Sequence, residues 1–269
     1  CLVAIKGAVL NYEQQFYLSG ILLSGVTSID GSYSINEQPI NILGKGHKYP
    51  VIDGAMVGDF QVNKYYIGRD PMLDYIGDNP ISGSINFNNK SFGFNSGYLT
   101  EYNLSASIGS IPKSTSTIKV FGNIGSGINA SGSNAHPDIE IPNQGSITMN
   151  TTGFQNNRIT NFRYNLSIGR SPVYKIGSPF AVQVDRQFPL IETASFSMDI
   201  NDHEVTRLYE YLIKPKQQDL TISIKNPINN NSIETITMEK ARLINHSLSS
   251  DSNDVMTLDL NYTAYINKK

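Results

Sequence analysis

The residues of this chain that could carry catalysis or bind a metal ion are few and widely spaced. The four histidines are His47, His136, His203 and His246, and no two of them have the spacing of a metal-binding pair. The single cysteine, Cys1, cannot form an intramolecular disulfide or complete a set of thiolate ligands. We therefore predict no metal site and no cofactor.

Paired carboxylates can act as general acid and base, and two pairs occur here, Asp70 with Asp74 and Asp251 with Asp254. Their positions at a helix start and in a loop favour structural roles. The segment Gly44–Lys48 has a phosphate loop's composition but not the Gly-x-x-x-x-Gly-Lys-Ser/Thr spacing, and no helix is predicted after it. No Gly-x-Ser-x-Gly elbow is present either. We predict no catalytic residue and a protein that is not an enzyme.

The composition indicates a folded, turn-rich protein whose surface is polar but weakly charged. Hydrophobic residues make up 39% of the 269 residues, and charged residues make up only 16%. Lys and Arg number 21 against 23 Asp and Glu, for a formal net charge of −2. This near-balance argues against tight binding of nucleic acid, which requires many cations to neutralise phosphates. It remains compatible with a pore through which DNA slides.

Alternation of polar and apolar residues predicts antiparallel strands with one buried face. The strictest examples are Ser195–Ile200, Leu220–Ile224 and Thr257–Tyr262. Asn88–Lys90 and Asn229–Asn231 lie between such runs and are typical of hairpin turns.

Two helices are predicted, one in each half of the chain. The longer covers Asp202 to Lys214, because Asp202 is a suitable N-cap, apolar residues recur on one face and Pro215 follows. Asp70–Tyr75 is a shorter counterpart with proline in its first turn.

The sequence contains an internal repeat. Over Gly25–Gly44 and the segment that ends at Gly177, residues match at a constant offset of 133 positions without a gap. The matches at this offset are Val26 with Ile159, Ile29 with Phe162, Tyr33 with Leu166, Ile35 with Ile168, Pro39 with Pro172 and Gly44 with Gly177. Shifted matches follow, namely Tyr49–Ile52 with Phe188–Ile191, Phe60–Val62 with Phe196–Met198, Leu73–Ile76 with Tyr209–Leu212, and Leu99, Tyr102 and Leu104 with Leu243, His246 and Leu248.

The repeat predicts a mainly β protein made of two tandem copies of a β-sandwich or small barrel domain, each with a flanking short helix. The glycines and small polar residues of Gly122–Gly132 mark the joint as a flexible connector. We place the first domain at residues 1–125, a Gly/Ser/Pro-rich linker at 126–142 and the second domain at 143–269.

With its repeated strand, proline, glycine and loop segments (Gly25–Gly44 and Ile159–Gly177), followed by strand, helix and strand, the chain resembles a phage tail tube protein with a duplicated tube domain. The resemblance implies rings in which strands of neighbouring subunits join around a central lumen, and rings that stack into a tube for DNA. Two domains per chain then imply three chains in a pseudo-hexameric ring. Its partners are expected to be further copies of itself and other tail proteins of a virion assembled in the host cytoplasm.

The same resemblance suggests which segments contact the next ring. Candidate stacking loops are Gly44–Ile52, Gly177–Pro189 and Asn143–Asn157, and the candidate terminal arm is Leu2–Tyr12. The lumen is expected to be neutral to acidic, so that DNA passes without tight binding. Asp59, Asp199, Asp259 and Asn86 lie on alternating stretches, but which strand face is luminal is not readable without the register.

Two alternatives stay open from sequence. One is a ring-forming tail adaptor, such as a distal-tail, baseplate or terminator protein, which would stop at one ring. The other is a non-viral ligand-binding β-sandwich module. No apolar run is long enough to span a bilayer, and no secretory signal is visible. An acylated Cys1 would suit a lipoprotein, but Leu2–Ile5 resembles a strand more than a polar tether. We expect no membrane anchor.

Overall fold

A computed structural model describes residues 14–34, 37–41, 43–44, 48–52, 55–132, 146–151, 154–156, 158–199, 217–226, 228–250 and 256–267. In these ranges the chain is mainly β, as predicted. The strands are β1 (Gln15–Leu18), β2 (Ile21–Leu22), β3 (Val26–Ser34), β4 (Glu37–Asn41), β5 (Lys48–Ile52), β6 (Val57–Tyr65), β7 (Ile81–Phe87), β8 (Lys90–Ser107), β9 (Lys113–Val120), β10 (Ile124–Ser126), β11 (Ile147–Thr151), β12 (Phe154–Asn156), β13 (Ile159–Val173), β14 (Gln183–Asp199), β15 (Gln218–Lys225), β16 (Ser232–Ser249) and β17 (Thr257–Ile266). Fifteen of them form one antiparallel sheet, and β4 pairs with β5 separately.

The alternating segments form the strands that their pattern predicts. In β15, Leu220, Ile222 and Ile224 are buried while the residues between them are partly exposed. The alternation in β14 and β17 has the same result, because successive side chains of a strand point to opposite faces. The predicted turn before Lys90 is confirmed, with Asn88 and Asn89 at positive φ between β7 and β8.

The order of strand pairing occurs twice along the chain. In the first half, neighbours follow the order β3–β6–β9–β8–β7–β1–β2. In the second half they follow the order β13–β14–β17–β16–β15–β11–β12. The two orders correspond strand for strand, so the sequence repeat is accompanied by a repeat of topology.

Irregularities of the ladder recur at equivalent positions. Pairing of β3 with β6 skips a residue at Thr27, and pairing of β13 with β14 skips one at Thr160. The Thr27 hydroxyl donates to the carbonyl of Asn63 at 3.1 Å, and that of Thr160 donates to the carbonyl of Ser197 at 3.1 Å. Bulges are local departures that single residues determine, so their coincidence fixes the equivalence of the two halves residue by residue.

The equivalences extend through the long strands and the hairpins. Ser96 in β8 and Lys240 in β16 both have positive φ, 54° and 53°, in equivalent bulges. Gly44 and Gly177 have φ of 81° and 85° at the turns of the β4–β5 and β13–β14 hairpins. By pairing, β3 is equivalent to β13 at an offset of 133, β6 to β14 at 134, and β8 and β9 to β16 and β17 at 144.

Two of the sequence matches need adjustment. Pairing makes Val62 the equivalent of Phe196, whereas the sequence match placed Phe60 there. It makes Tyr49 the equivalent of Gln183, because Tyr49 pairs with Ile40 as Gln183 pairs with Val173. Matching by residue type failed at these places because backbone pairing, not side-chain identity, fixes the register.

The predicted short helix is present as a 3₁₀ helix at Pro71–Tyr75. The Asp70 side chain caps it by accepting a hydrogen bond from the Met72 backbone at 3.2 Å. The predicted helix from Asp202 to Lys214 lies outside the described residues.

The start of the connector is packed against the first half. Residues Ile124–Ser126 form β10 on the edge of β8, and Ala130 is buried. The Ala130 backbone donates to the Ser84 hydroxyl at 3.0 Å and accepts from the Gly20 backbone at 3.1 Å. The glycine of the connector at position 132 allows close packing here, because a Cβ at Gly132 would lie 2.1 Å from the Gly20 carbonyl oxygen. Residues 133–145 lie outside the described part.

Candidate functional surface

Eight strands drawn from both halves of the chain lie side by side. Their order is β3, β6, β9, β8, β13, β14, β17 and β16. The central contact, between residues 101–107 of β8 and 161–167 of β13, joins the two halves of the chain. We call this contact the internal joint.

One face of these eight strands is buried and the other is mainly polar. Phe60, Leu104, Phe162, Phe196 and Leu260 contribute to the core on the buried side. We call the opposite side the polar face. Its polar members are Ser28, Asp30, Ser32, Ser34, Asp59, Gln61, Asn63, Glu101, Asn103, Ser105, Ser107, Lys113, Thr115, Thr117, Lys119, Asn161, Arg163, Asn165, Ser167, Thr193, Ser195, Ser197, Asp199, Arg242, Asn245, Ser247, Ser249, Thr257, Asp259, Asn261 and Thr263. The same side also carries Val57, Tyr65, Tyr98, Ile191 and Tyr265.

Hydroxyl and amide side chains of the polar face bond to one another across the strands. In the first half the Asn63 amide donates to the Ser28 hydroxyl at 2.9 Å and accepts from the Thr115 hydroxyl at 2.8 Å. At the internal joint the Asn165 amide donates to Asn103 at 2.7 Å and to Glu101 at 3.0 Å. These bonds satisfy polar groups within the sheet.

The second half continues this pattern with hydroxyls around one carboxylate. Asp259 accepts a hydrogen bond from Ser197 at 2.6 Å and another from Ser247 at 3.1 Å. The polar face as a whole carries five acidic and four basic side chains, namely Asp30, Asp59, Glu101, Asp199 and Asp259, and Lys113, Lys119, Arg163 and Arg242. Charges of both signs are thus interspersed among neutral side chains, which produces a hydrated surface with a weak net field.

The polar face ends in strand edges on both sides. Within the described residues, β3 pairs only with β6, and residues 242–249 of β16 pair only with β17. Each edge therefore presents a row of backbone donors and acceptors to a further strand.

An arginine cluster fastens the halves beside the internal joint. Arg170, whose side chain is only 1% exposed, donates to the carbonyls of Leu99 at 3.1 Å and Ile76 at 3.3 Å. Asp78 accepts from Arg186 at 2.8 Å and lies 3.4 Å from Arg170. Burial lowers the pKa of the Arg170 guanidinium, and Asp78 opposes that shift.

The β13–β14 hairpin extends past the joint and covers one rim of the first half. Met56 donates its backbone hydrogen to Pro179 at 3.0 Å, and Ala181 donates to Phe121 at 3.2 Å. Val184 is buried in a cluster with Tyr98 and Phe121. The second half is thus anchored to the first by this hairpin as well as by paired strands.

Two equivalent aliphatic side chains stand free at the hairpin turns. Leu43 is 102% exposed and Ile176 is 106% exposed, each directly before a glycine with positive φ. Nothing among the described residues covers either side chain. Single exposed aliphatic side chains are common on protein surfaces, but here the exposed residue recurs at the equivalent position of both halves.

Of the histidines and paired carboxylates that the sequence offered for chemistry, the structure describes His246, Asp70 and Asp74. His246 is exposed on β16, whereas His47, His136, His203, Asp251 and Asp254 lie outside the described residues. Asp70 is buried, and the exposed Asp74 forms an ion pair with Arg69. No group of three His, Cys, Asp or Glu in the described ranges is arranged to hold a metal ion.

The four polar residues of alternating stretches singled out from the sequence divide between two surfaces. Asp59, Asp199 and Asp259 all lie on the polar face. Asn86 lies on β7, outside the eight strands, where its amide donates to Asn129 at 3.0 Å. The strand edges were missed from sequence, although the polar residues of β3 and Asn245–Ser249 already suggested strands with little to bury.

Of the predicted stacking segments, the described parts are strands and turns. β5 and Gly44 belong to the first hairpin, residues 177–189 belong to the second, and β11 and β12 lie within 143–157. Leu2–Tyr12 lies outside the described residues. Over the described residues, no helix has the length and hydrophobicity needed to cross a membrane. The sequence matches no protein-family model, and no curated protein is significantly similar to it.

Proposed function

We propose that this chain is a virion structural protein that assembles into rings and stacks as a phage tail tube. In this proposal its halves are two copies of one β-sandwich domain with a flanking helix, and the polar face lines the conduit for DNA. Three chains close a pseudo-hexameric ring. The protein acts in the virion, without catalysis or a cofactor, and is assembled in the host cytoplasm.

The observation that carries the proposal is the polar face, which ends in two strand edges that no other described residue pairs with. A sheet that ends in open edges invites further pairing, and closure into a barrel removes such edges. A lumen lined by hydrogen-bonded hydroxyls and amides with mixed charges releases few counterions from DNA, so DNA moves through it without being held.

The fully exposed Leu43 and Ile176 support stacking over a single ring. As equivalent residues, they provide two apolar contacts per chain at one end of the sheet. A terminator or adaptor, the nearest alternative, needs no such pair of identical contacts for copies of itself.

Light scattering after size exclusion, with negative-stain imaging of the same fractions, tests the proposal. Rings of three chains or hollow tubes support it. A six-chain ring contradicts the pseudo-hexamer, and a lasting monomer contradicts self-assembly. Purified tubes are also expected to leave duplex DNA unretained at physiological salt.

Stacking is tested separately with the double substitution Leu43→Ser and Ile176→Ser. We expect rings to persist while tubes shorten or disappear. Ile228→Ser is the matched control, because Ile228 is also 94% exposed but lies on the β15–β16 turn. If the control shortens tubes as much as the double variant, the hairpin turns do not direct stacking.

A ligand-binding module is the second candidate, and one cleft favours it. The cleft is lined by amide side chains from Gln15, Asn86, Asn88, Asn89 and Asn129. Amides can bond sugar hydroxyls. This candidate predicts a monomer that binds a glycan, so the light-scattering measurement distinguishes it from the first.

A further inference from the structure

We propose that β3 of one copy pairs with residues 245–249 of β16 in the next copy, in the register of the internal joint. The β4–β5 hairpin of the first of these copies then lies over the rim of its neighbour. This inference deepens the proposed assembly and rests on it. Its partner is a second copy of this chain.

The register follows from the equivalence of the halves. At the internal joint, Asn165 pairs with Asn103 and Ser167 with Glu101. Subtracting 133 on β13 gives positions 32 and 34 on β3, and adding 144 on β8 gives positions 247 and 245 on β16. The expected pairs between copies are therefore Ser32 with Ser247 and Ser34 with Asn245.

Apolar side chains that are buried at the internal joint have exposed equivalents at the two strand edges. Tyr102, Leu104 and Leu166 are at most 1% exposed at the internal joint. The equivalents of Leu104 and Leu166 are Leu248, which is 51% exposed, and Tyr33, which is 36% exposed. The free edges thus expose apolar side chains at positions that the internal joint buries.

The polar face continues across the proposed contact. At the internal joint the Asn165 side-chain amide donates a hydrogen bond to Asn103, and the equivalent contact between copies brings Ser32 opposite Ser247. Ser247 already donates its hydroxyl hydrogen to Asp259, so its oxygen is left to accept from Ser32. The side-chain ladder would then run from copy to copy without interruption.

The rim of the second half, at Ile191 and Tyr265, is exposed, whereas the equivalent rim of the first half is covered. In the first half, Phe121 is 3% exposed because the β13–β14 hairpin covers it, with Val57 partly buried beside it. Their equivalents are Tyr265, 55% exposed, and Ile191, 41% exposed. Equivalence assigns the covering role to the β4–β5 hairpin, in which residues 37–40 pair with 49–52 in the same register as 170–173 with 183–186.

Disulfide trapping tests the register. In a Cys1→Ser background, Ser32→Cys protein is mixed with Ser247→Cys protein under mild oxidation. Directly opposed residues lie within disulfide reach, whereas residues displaced by two lie at 7 to 8 Å, roughly the limit. We therefore expect about tenfold more mixed disulfide than with Ser32→Cys and Ser249→Cys.

Two controls accompany the trapping. The double variant Asn103→Cys and Asn165→Cys is expected to form a disulfide within one chain, which shows that a joint of this geometry is trapped. Mixing the same single variants below the assembly concentration is expected to give no product.

The outcomes separate this inference from the proposed function. Preferential trapping of Ser32→Cys with Ser247→Cys in particles that negative stain shows as rings or tubes supports both. Rings or tubes trapped only in the shifted pair, or in neither pair, overturn the register and leave the tube proposal standing. A monomer that is never trapped overturns both.

Discussion

The two halves of this molecule share their backbone pairing but differ in the chemistry of their cores. In the first half, the buried Lys64 ammonium lies 3.0 Å from the buried Asp70 carboxylate. The residues of the second half equivalent to Lys64 and Ser114 are Met198 and Leu258, both fully buried and apolar. The fold therefore tolerates either kind of core, provided that the ladder and its bulges are kept.

The polar core of the first half has a specific task. Asp70 also accepts hydrogen bonds from Ser114 at 2.7 Å and Tyr102 at 3.1 Å, and it caps the 3₁₀ helix. Burial, with Asp70 as a further cause, raises the pKa of the Tyr102 phenol well above its usual value, so it stays a donor. The network ties the helix to β6, β8 and β9.

A second difference is that a large aromatic residue and the small residue paired with it have exchanged strands between the two halves. In the first half Phe60 pairs with Gly31, and a Cβ at Gly31 would lie 2.7 Å from the Phe60 ring. In the second half the equivalent pair is Ala194 with Tyr164, so the aromatic ring comes from the other strand. Packing volume, more than residue identity, is what the repeat retains.

The largest expected effect comes from breaking the buried ion pair. Asp70→Asn leaves the Lys64 charge buried without its counterion and is expected to lower the free energy of unfolding by about 3 to 5 kcal/mol. Asp74→Asn is the control, since its exposed pair with Arg69 contributes roughly 0 to 1 kcal/mol. Urea denaturation of both variants measures the difference, and equal losses would refute the assigned role of Asp70.

The volume exchange is tested by a double-mutant cycle. Phe60→Ala is expected to cost about 3 to 5 kcal/mol because it leaves a cavity. Gly31→Tyr alone clashes with the Phe60 ring, but together the two substitutions copy the arrangement of the second half. We expect a favourable coupling of about 0.5 to 3 kcal/mol, and strict additivity would contradict the exchange.

The matched threonines give a smaller effect. Thr160→Val removes a partly buried hydrogen bond and is expected to cost about 1 to 1.5 kcal/mol. Thr27→Val should cost about 0.5 kcal/mol in the free chain, because its bond at the β3 edge is exposed and water can replace it. Chemical denaturation of each variant checks this, and a greater loss for Thr27→Val would contradict it.

The smallest effect concerns a buried carboxyl of the second half. Glu192 accepts from the Tyr164 phenol at 2.7 Å, and burial raises the pKa of Glu192 above its ordinary 4.5. A raised pKa in the folded state favours the protonated form, so stability falls as pH rises from about 4.5 through the folded value. Glu192→Gln should therefore raise the melting temperature at pH 7 and change it little at pH 4. An equal change at both pH values would refute this origin.

Some features were predictable from sequence because they depend on local pattern. Alternation located β15 and β17, and the constant offset of 133 aligned β3 with β13 as pairing does. Asp70 and Pro71 marked the 3₁₀ helix.

Other features depend on long-range pairing and could not be predicted. No pattern within β6 shows that Asp59 shares a face with Asp199 of β14. The two strands are the ends of a run of five neighbouring strands, and about half the chain separates the two residues in sequence. Likewise, the aromatic and proline residues near Tyr49 suggested a match that the hairpin register does not support. Which edges remain open is decided only when the whole order of strands is known.

The internal joint has a consequence for synthesis on the ribosome. Residues 101–107 of β8 are synthesised before their strand partner, residues 161–167, which emerge from the ribosome about 3 to 12 s later at ordinary translation rates. During that interval the nascent chain displays an edge equivalent to the one that we propose receives β3 of a finished copy. In the proposed assembly, premature pairing between neighbouring nascent chains on one polysome would compete with folding of the second half.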